Sequence, residues 1–254
     1  MTTTTDITRA EVCVTACSDA WRDSGEVLAH AVGIVPSISA RLARLTHSPD
    51  LVLTDGECFL MAEPPPLGAS AQAGGTIESW VPFGQIFDIL STGRRHSMMG
   101  ASQIDRYGNH NISSIGDWRR PKRQLIGVRG APGNTVNHRV DYWVSSHTSR
   151  VFVEQVDVVC GVGHDRARAH TSSSLRFHDL GVVVTDLAVL DYDAEGLLKV
   201  RSLHPGVSAE QVREATGFDI DVSQAVTTRV PDEHELELIR TIDPRGLRDR
   251  EVRV

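Results

Sequence analysis

Between Thr5 and Leu45 apolar residues recur at helical spacing, first as Val12, Cys13, Ala16, Cys17 and Ala20, then as Ile34, Ile38, Leu42 and Leu45. The pattern predicts two helices broken near Gly25, with Pro36 at or near the start of the second, where its missing N–H is tolerated. Residues 50–53 (DLVL) read as a short buried strand. The polar turn Thr54-Asp55-Gly56-Glu57 follows at its C-terminal end, the end at which open α/β sheets bind ligands. Three successive prolines make residues 63–75 irregular. Residues 85–90 predict a short helix and 97–101 a strand. Residues 103–113 predict a hairpin turning at Tyr107-Gly108-Asn109. Residues 125–128 read as the next strand, running into a second polar loop, Arg129-Gly130-Ala131-Pro132-Gly133-Asn134.

In the second half, β-branched and apolar runs at 142–145, 151–155, 157–162 and 180–186 predict strands, and DYDAEG (191–196) turns a hairpin between 184–190 and 197–200. Ser208 with Gln211 three residues on forms a capping box for a helix that stops at Gly217. Pro231 at the first position and residues 232–240, acidic first and cationic last, predict a final helix. Strands alternating with helices give one α/β domain over residues 1–254: a single open, largely parallel sheet flanked by helices, with an antiparallel hairpin. Residues 1–9 are expected to be flexible and 241–254 to form a charged tail.

Composition narrows the functions open to such a domain. Of the 254 residues, 40% are hydrophobic and 23% charged, which suits an ordered globular chain. A net charge of −7 argues against nucleic acid or an anionic membrane as the partner. The first ten residues lack a secretory pattern, and no apolar run approaches the roughly 20 residues that span a bilayer, so a cytoplasmic protein is expected. Cys13, Cys17, Cys58 and Cys160 match no CxxC spacing and read as buried, reduced thiols. The histidines fit no zinc spacing, so no metal is expected. Gly161-Val162-Gly163 resembles a dinucleotide fingerprint, but Arg166 stands at the third glycine position, so no nicotinamide cofactor is expected.

The candidate chemistry concentrates between Met98 and His138, where six glycines punctuate a stretch supplying Gln103, Asp105, Asn109, Asn111, Arg129, Asn134, Asn137 and His138. Arg129 can grip a carboxylate with its planar fork, or pair with a neighbouring Asp for structure. Arg119, Arg120, Lys122 and Arg123 read as a solvated basic loop rather than a phosphate contact.

Three segments carry a family likeness: GASQIDRYGNHNIS (100–113), FVEQVDVVCGVGHDRA (152–167) and LHPGVSAEQVREATGFDI (203–220). In that order they resemble the β subunit of class I coenzyme A transferases, over roughly residues 10–246. The resemblance implies a heteromeric α₂β₂ enzyme with an α subunit of the same family, acting on a coenzyme A thioester as substrate and needing no other cofactor. In transferases of the family a Glu-Asn-Gly turn after an early strand carries the nucleophilic glutamate. Here the matching turn is Thr54-Asp55-Gly56, and a threonine hydroxyl without an adjacent base is too weak a nucleophile for anhydride chemistry. Within the family the likeness is to members that hydrolyse a carbon–carbon bond in a cyclic β-dicarbonyl of a steroid-derived thioester. It implies a catalytic base on the α subunit, with Thr54, Asp55, Gln103, Arg129 and Asn134 lining a pocket at the subunit interface. Two alternatives stay open: a true transferase with Glu57 or Asp55 as a displaced carboxylate, and a structural subunit without a pocket.

Overall fold

The computed structural model describes residues 7–56, 58–68, 75–170 and 173–252. Helix α1 (Arg9–Asp19) starts on a capping box in which Thr8 and Glu11 satisfy each other's backbone N–H groups, so Thr8 and Arg9 are part of a helix start and not of a flexible terminus. Strand β1 (Leu28–Ala31) follows; its sequence, LAHA, is too short and too polar to stand out by periodicity. Helix α2 (Ile34–Leu45) holds Pro36 in its first turn, as expected. Val52 joins the edge of β1 through a parallel bridge before the chain enters a small antiparallel sheet of β2 (Leu53–Thr54), β3 (Phe59–Met61) and β4 (Ile77–Trp80). The expected strand at 50–53 is therefore shifted, and Thr54 belongs to the strand rather than to the turn.

Helix α3 (Gln85–Ser91) leads to β5 (Arg95–Met99), and then come two ribbons: β6 (Gln103–Ile104) with β7 (His110–Asn111), and β8 (Ser114–Ile115) with β9 (Arg123–Gln124). Gly108 takes the left-handed conformation (φ 81°) that the first ribbon's turn needs. Residues 125–128 are not a strand; Ile126 and Val128 are exposed, so the apolar pattern there reflects a surface and not a core. Helix α4 (Ala131–Asn137) replaces the expected polar loop. Strand β10 (Arg139–Val144) is followed by a long segment in which 151–155 and 157–162 form no strands. Phe152 and Gly161 instead bridge singly to Ile104 and His110, and Phe152 and Cys160 are buried there. The remaining elements are α5 (His164–Arg168), β11 (Asp179–Thr185), β12 (Ala188–Tyr192), β13 (Leu198–Leu203), α6 (Ala209–Ala215), β14 (Val226–Thr227), α7 (Glu233–Ile242) and α8 (Arg248–Glu251).

The main sheet has the order β1-β5-β10-β11-β12-β13-β14. Its first four strands are parallel and β11-β12-β13 form an antiparallel meander, one strand more than the expected hairpin. The extra turn is closed by Thr185, whose hydroxyl accepts from the N–H groups of Leu187 and Ala188. One apolar core lies between one face of the sheet and α1, α2 and α7, and a second lies on the other face. The C-terminal segment is no tail. Glu11, fully buried, binds Arg240 and Arg248, each at 2.9 Å. Glu251 accepts from the N–H groups of Ile34 and Val35 and from the indole of Trp143, so it caps a helix that has no side-chain cap of its own. Among the described residues no helix is long and apolar enough to cross a membrane.

Candidate functional site

Helix α4 organises the site because its Asn134 reaches two residues of β5, Arg95 and Met99. Pro132 stands in its first turn, and Gly130 starts the helix by accepting the Asn134 N–H. Immediately before it Arg129 adopts φ 51°, a conformation rarely held by a non-glycine residue, and its exposed side chain makes no ion pair among the described residues. The guanidinium is thus exposed at the start of α4.

Asn134, one turn in, is buried and connects this helix start to the sheet. Its Oδ1 accepts from Arg95 Nη1 at 3.3 Å and faces His138 Nε2 at the same distance, while its Nδ2 lies 3.5 Å from the Met99 sulfur. Arg95 is 8% exposed, its Nε has no hydrogen-bond partner, and among the described residues no carboxylate pairs with it. His30, on neighbouring β1, points to the same face and meets Ser97 Oγ at 3.4 Å. Burial, reinforced by the Arg95 charge, pushes His30 and His138 down to about 4, so both imidazoles are neutral at pH 7. Among the described residues the cluster therefore holds one cation and no counter-charge.

The other sequence candidates sit differently. Thr54 Oγ1 accepts the Gly56 N–H at 3.1 Å, and Asp55, also buried, accepts from Phe59 N–H at 3.2 Å, so both shape the turn between β2 and β3 beside the strand that carries His30. Glu57 lies outside the described residues. Gln103 is buried in a network of its own: its carbonyl oxygen accepts from Asn111 and from the Asp157 N–H, and its amide donates to Asp157. That side chain ties a hairpin to the 152–167 segment. Arg95, His30 and Ser97 were missed from the sequence because β1 is only four residues long and β5 is buried along its whole length, so neither shows an alternation that would single out a polar face.

The three segments that carry the family likeness pack on one another. Asp105 accepts from Tyr107 and Asn109 N–H groups, Asn109 reaches Asp165, and Gly163 N–H donates to Asn109 Oδ1. A Cβ on Gly163 would lie 2.5 Å from the Asn109 nitrogen, so this glycine serves close packing and not a pyrophosphate. Three cysteines are buried as expected, whereas Cys58 is only half-buried. A cavity of about 730 Å³ lies on the opposite face of the sheet, but Arg22, Arg139 and Arg229 on its walls are already paired with Asp19, Asp141, Asp179 or Glu235.

The fold is shared with known proteins. The coenzyme A transferase family profile matches residues 23–215. The chain is 49% identical over 255 residues to the cholesterol ring-cleaving hydrolase IpdB subunit of Rhodococcus jostii RHA1, covering 99% of both chains. It is 50% identical over 249 residues to the IpdB subunit of Mycobacterium tuberculosis H37Rv, covering 97% of this chain and 99% of that one. The crystal structure of Rhodococcus jostii RHA1 IpdAB superposes with a TM-score of 0.93 at 49% identity, covering 98% of this chain and all of that one. Matched over most of its length in sequence and in backbone, the chain belongs to the coenzyme A transferase family.

Proposed function

We propose that this chain is the β subunit of a heteromeric hydrolase that opens a carbocyclic ring in a steroid-derived coenzyme A thioester during cholesterol catabolism. What carries the reading is its likeness, over almost the whole chain, to the ring-cleaving hydrolase subunits. The partner is an α subunit of the same family, in an α₂β₂ assembly in the cytoplasm. An exposed apolar surface suits such a partner: Trp80, Phe83 and Phe87 on and around β4 and α3 are exposed, Phe83 to 81%, and Phe83 and Phe87 stack edge-on at 5.5 Å.

Hydrolysis of a cyclic β-dicarbonyl needs a base to activate water, donors for the oxyanion and enolate, and a cation for a substrate carboxylate. Arg129, exposed and without an ion pair, is the cation for the carboxylate or the enolate. Asn134 orients the reacting ring from the helix start, with Thr54 and Asp55 on the neighbouring turn. The base belongs to the α subunit, and the thioester is substrate rather than cofactor. Co-expression with the α subunit, followed by mass spectrometry of a steroid-derived CoA thioester before and after incubation, tests the reading. The expected product is heavier by one water with its thioester intact. A hydroxylamine-trapped adduct on Asp55 or Glu57 would instead identify a transferase.

A further inference from the structure

The buried cation behind Asn134 has no role in the reaction as set out so far. A guanidinium withdrawn from water without a counter-charge is costly, and an anionic ligand or partner group offsets that cost. Arg95 gives one bond to a neutral amide oxygen, leaves Nε without a partner and stands among two imidazoles and a serine hydroxyl. The set is rich in donors and lacks any acid.

We propose that Arg95, with His30 and Asn134, is the binding site for the carboxylate that ring opening creates. This rests on the hydrolase reading. In that reaction water adds to one ring carbonyl and the carbon–carbon bond to the central carbon breaks. The electron pair stays on that carbon as an enolate and takes up a proton, and the cleaved carbonyl carbon becomes a carboxylic acid that loses a proton. A new anion thus appears beside the old ring position, apart from the group that Arg129 holds. Arg95 lies next to that position in the fold: Asn134 links it to the helix start that Arg129 precedes.

The arrangement also couples the anion to a proton. His138 Nδ1 lies 2.9 Å from the Arg139 carbonyl oxygen and must donate to it, so in a neutral ring Nε2 presents a lone pair to the Asn134 oxygen, and two acceptors face each other. Only the imidazolium satisfies both contacts. The charged and titratable groups around it are Arg95 on β5, His30 on β1 and, through the sheet, His96, which is bonded to Asp141. Burial keeps His138 and His30 neutral and the Arg95 charge adds to it, so a carboxylate at Arg95 removes the second of these effects and brings a negative charge beside both rings, which favours uptake of a proton.

The test uses the assembled complex with glutarate as the probe, in an Arg129→Ala background that removes the exposed cation at the start of α4. Calorimetric titration at pH 6.5 in two buffers of different ionisation heat should show glutarate binding with uptake of a fraction of a proton. Arg95→Met should weaken binding roughly 10- to 100-fold and abolish the uptake, and Arg95→Lys should retain part of both. Arg95→Met should also raise the melting temperature, because an unpaired buried charge is replaced by an apolar side chain of similar length. Equal binding to the Met variant, or no binding to the parent complex because a partner carboxylate already occupies Arg95, would overturn the proposal. The titration needs no turnover, so failure of the hydrolase reading would register separately, as loss of ring opening in the unmutated complex.

Discussion

Arg129 sits where backbone geometry and chemistry can be separated. Its φ of 51° favours glycine, and its side chain makes no ion pair among the described residues, so Arg129→Ala should leave the fold intact and change the melting temperature little. Loss of a charge-assisted contact to substrate is worth on the order of 2–4 kcal/mol, or roughly 30- to 1000-fold in kcat/KM. Arg129→Lys should recover only part of this, since a point charge does not reproduce the planar fork. Normal turnover in the alanine variant, measured on the same preparation as its melting curve, would remove Arg129 from the site. The sequence singled out Arg129 because it follows an apolar run at the mouth of a glycine-rich loop. Gln103 looked equivalent there, yet its amide is consumed by Asn111 and Asp157, a distinction that only the packed hairpin reveals.

At the scale of elements, chemistry that acts between neighbours in sequence was legible and chemistry that acts across the sheet was not. The Ser208–Gln211 box stands as read, and so does the final helix, shifted so that Asp232 rather than Pro231 starts it through a second box with Glu235. Helix α4 was hidden because Gly, Pro and Asn mark turns, and their helical state here depends on burial of Ala131, Asn134 and Thr135 against the sheet. The cap on α2 was hidden for a different reason: its donor groups and its acceptor are 217 positions apart. Glu251→Ala should remove three hydrogen bonds to one carboxylate and cost about 2–4 kcal/mol, lowering the melting temperature by several degrees. A melting curve unchanged by that substitution would mean that solvent caps α2 equally well.

For the whole molecule, four buried histidines and the half-buried His30 set the response to acid. His30, His110, His138 and His204 are pushed by burial down to about 4 and His147 to about 3, from an ordinary value near 6.5. The unfolded chain therefore binds protons first, so stability is full above about pH 7 and declines as pH falls from about 6.5 toward 4. Asp141 and Glu11, held below the usual carboxylate range by the His96 and Arg240 partners that outweigh their burial, add a second loss below about pH 4. Asp105 and Asp186, pushed up by burial, work in the opposite sense but are fewer. Melting temperatures at pH 7, 6 and 5 should decrease steadily, and a flat profile would contradict the burial of these rings. The exposed aromatic group gives a separate forecast: Phe83→Asp should leave the melting temperature of this chain alone unchanged while weakening co-purification of the α subunit. The contact between Glu251 and α2 orders events during synthesis as well. While a ribosome is still making the chain, the first turn of α2 has emerged without its cap, and the carboxylate that completes it is added more than two hundred peptide bonds later. The first half of this sheet consequently waits, incompletely held, for the last residues to leave the exit tunnel. A nascent chain stalled before Glu251 should be open to proteases at α2, and one released should close there.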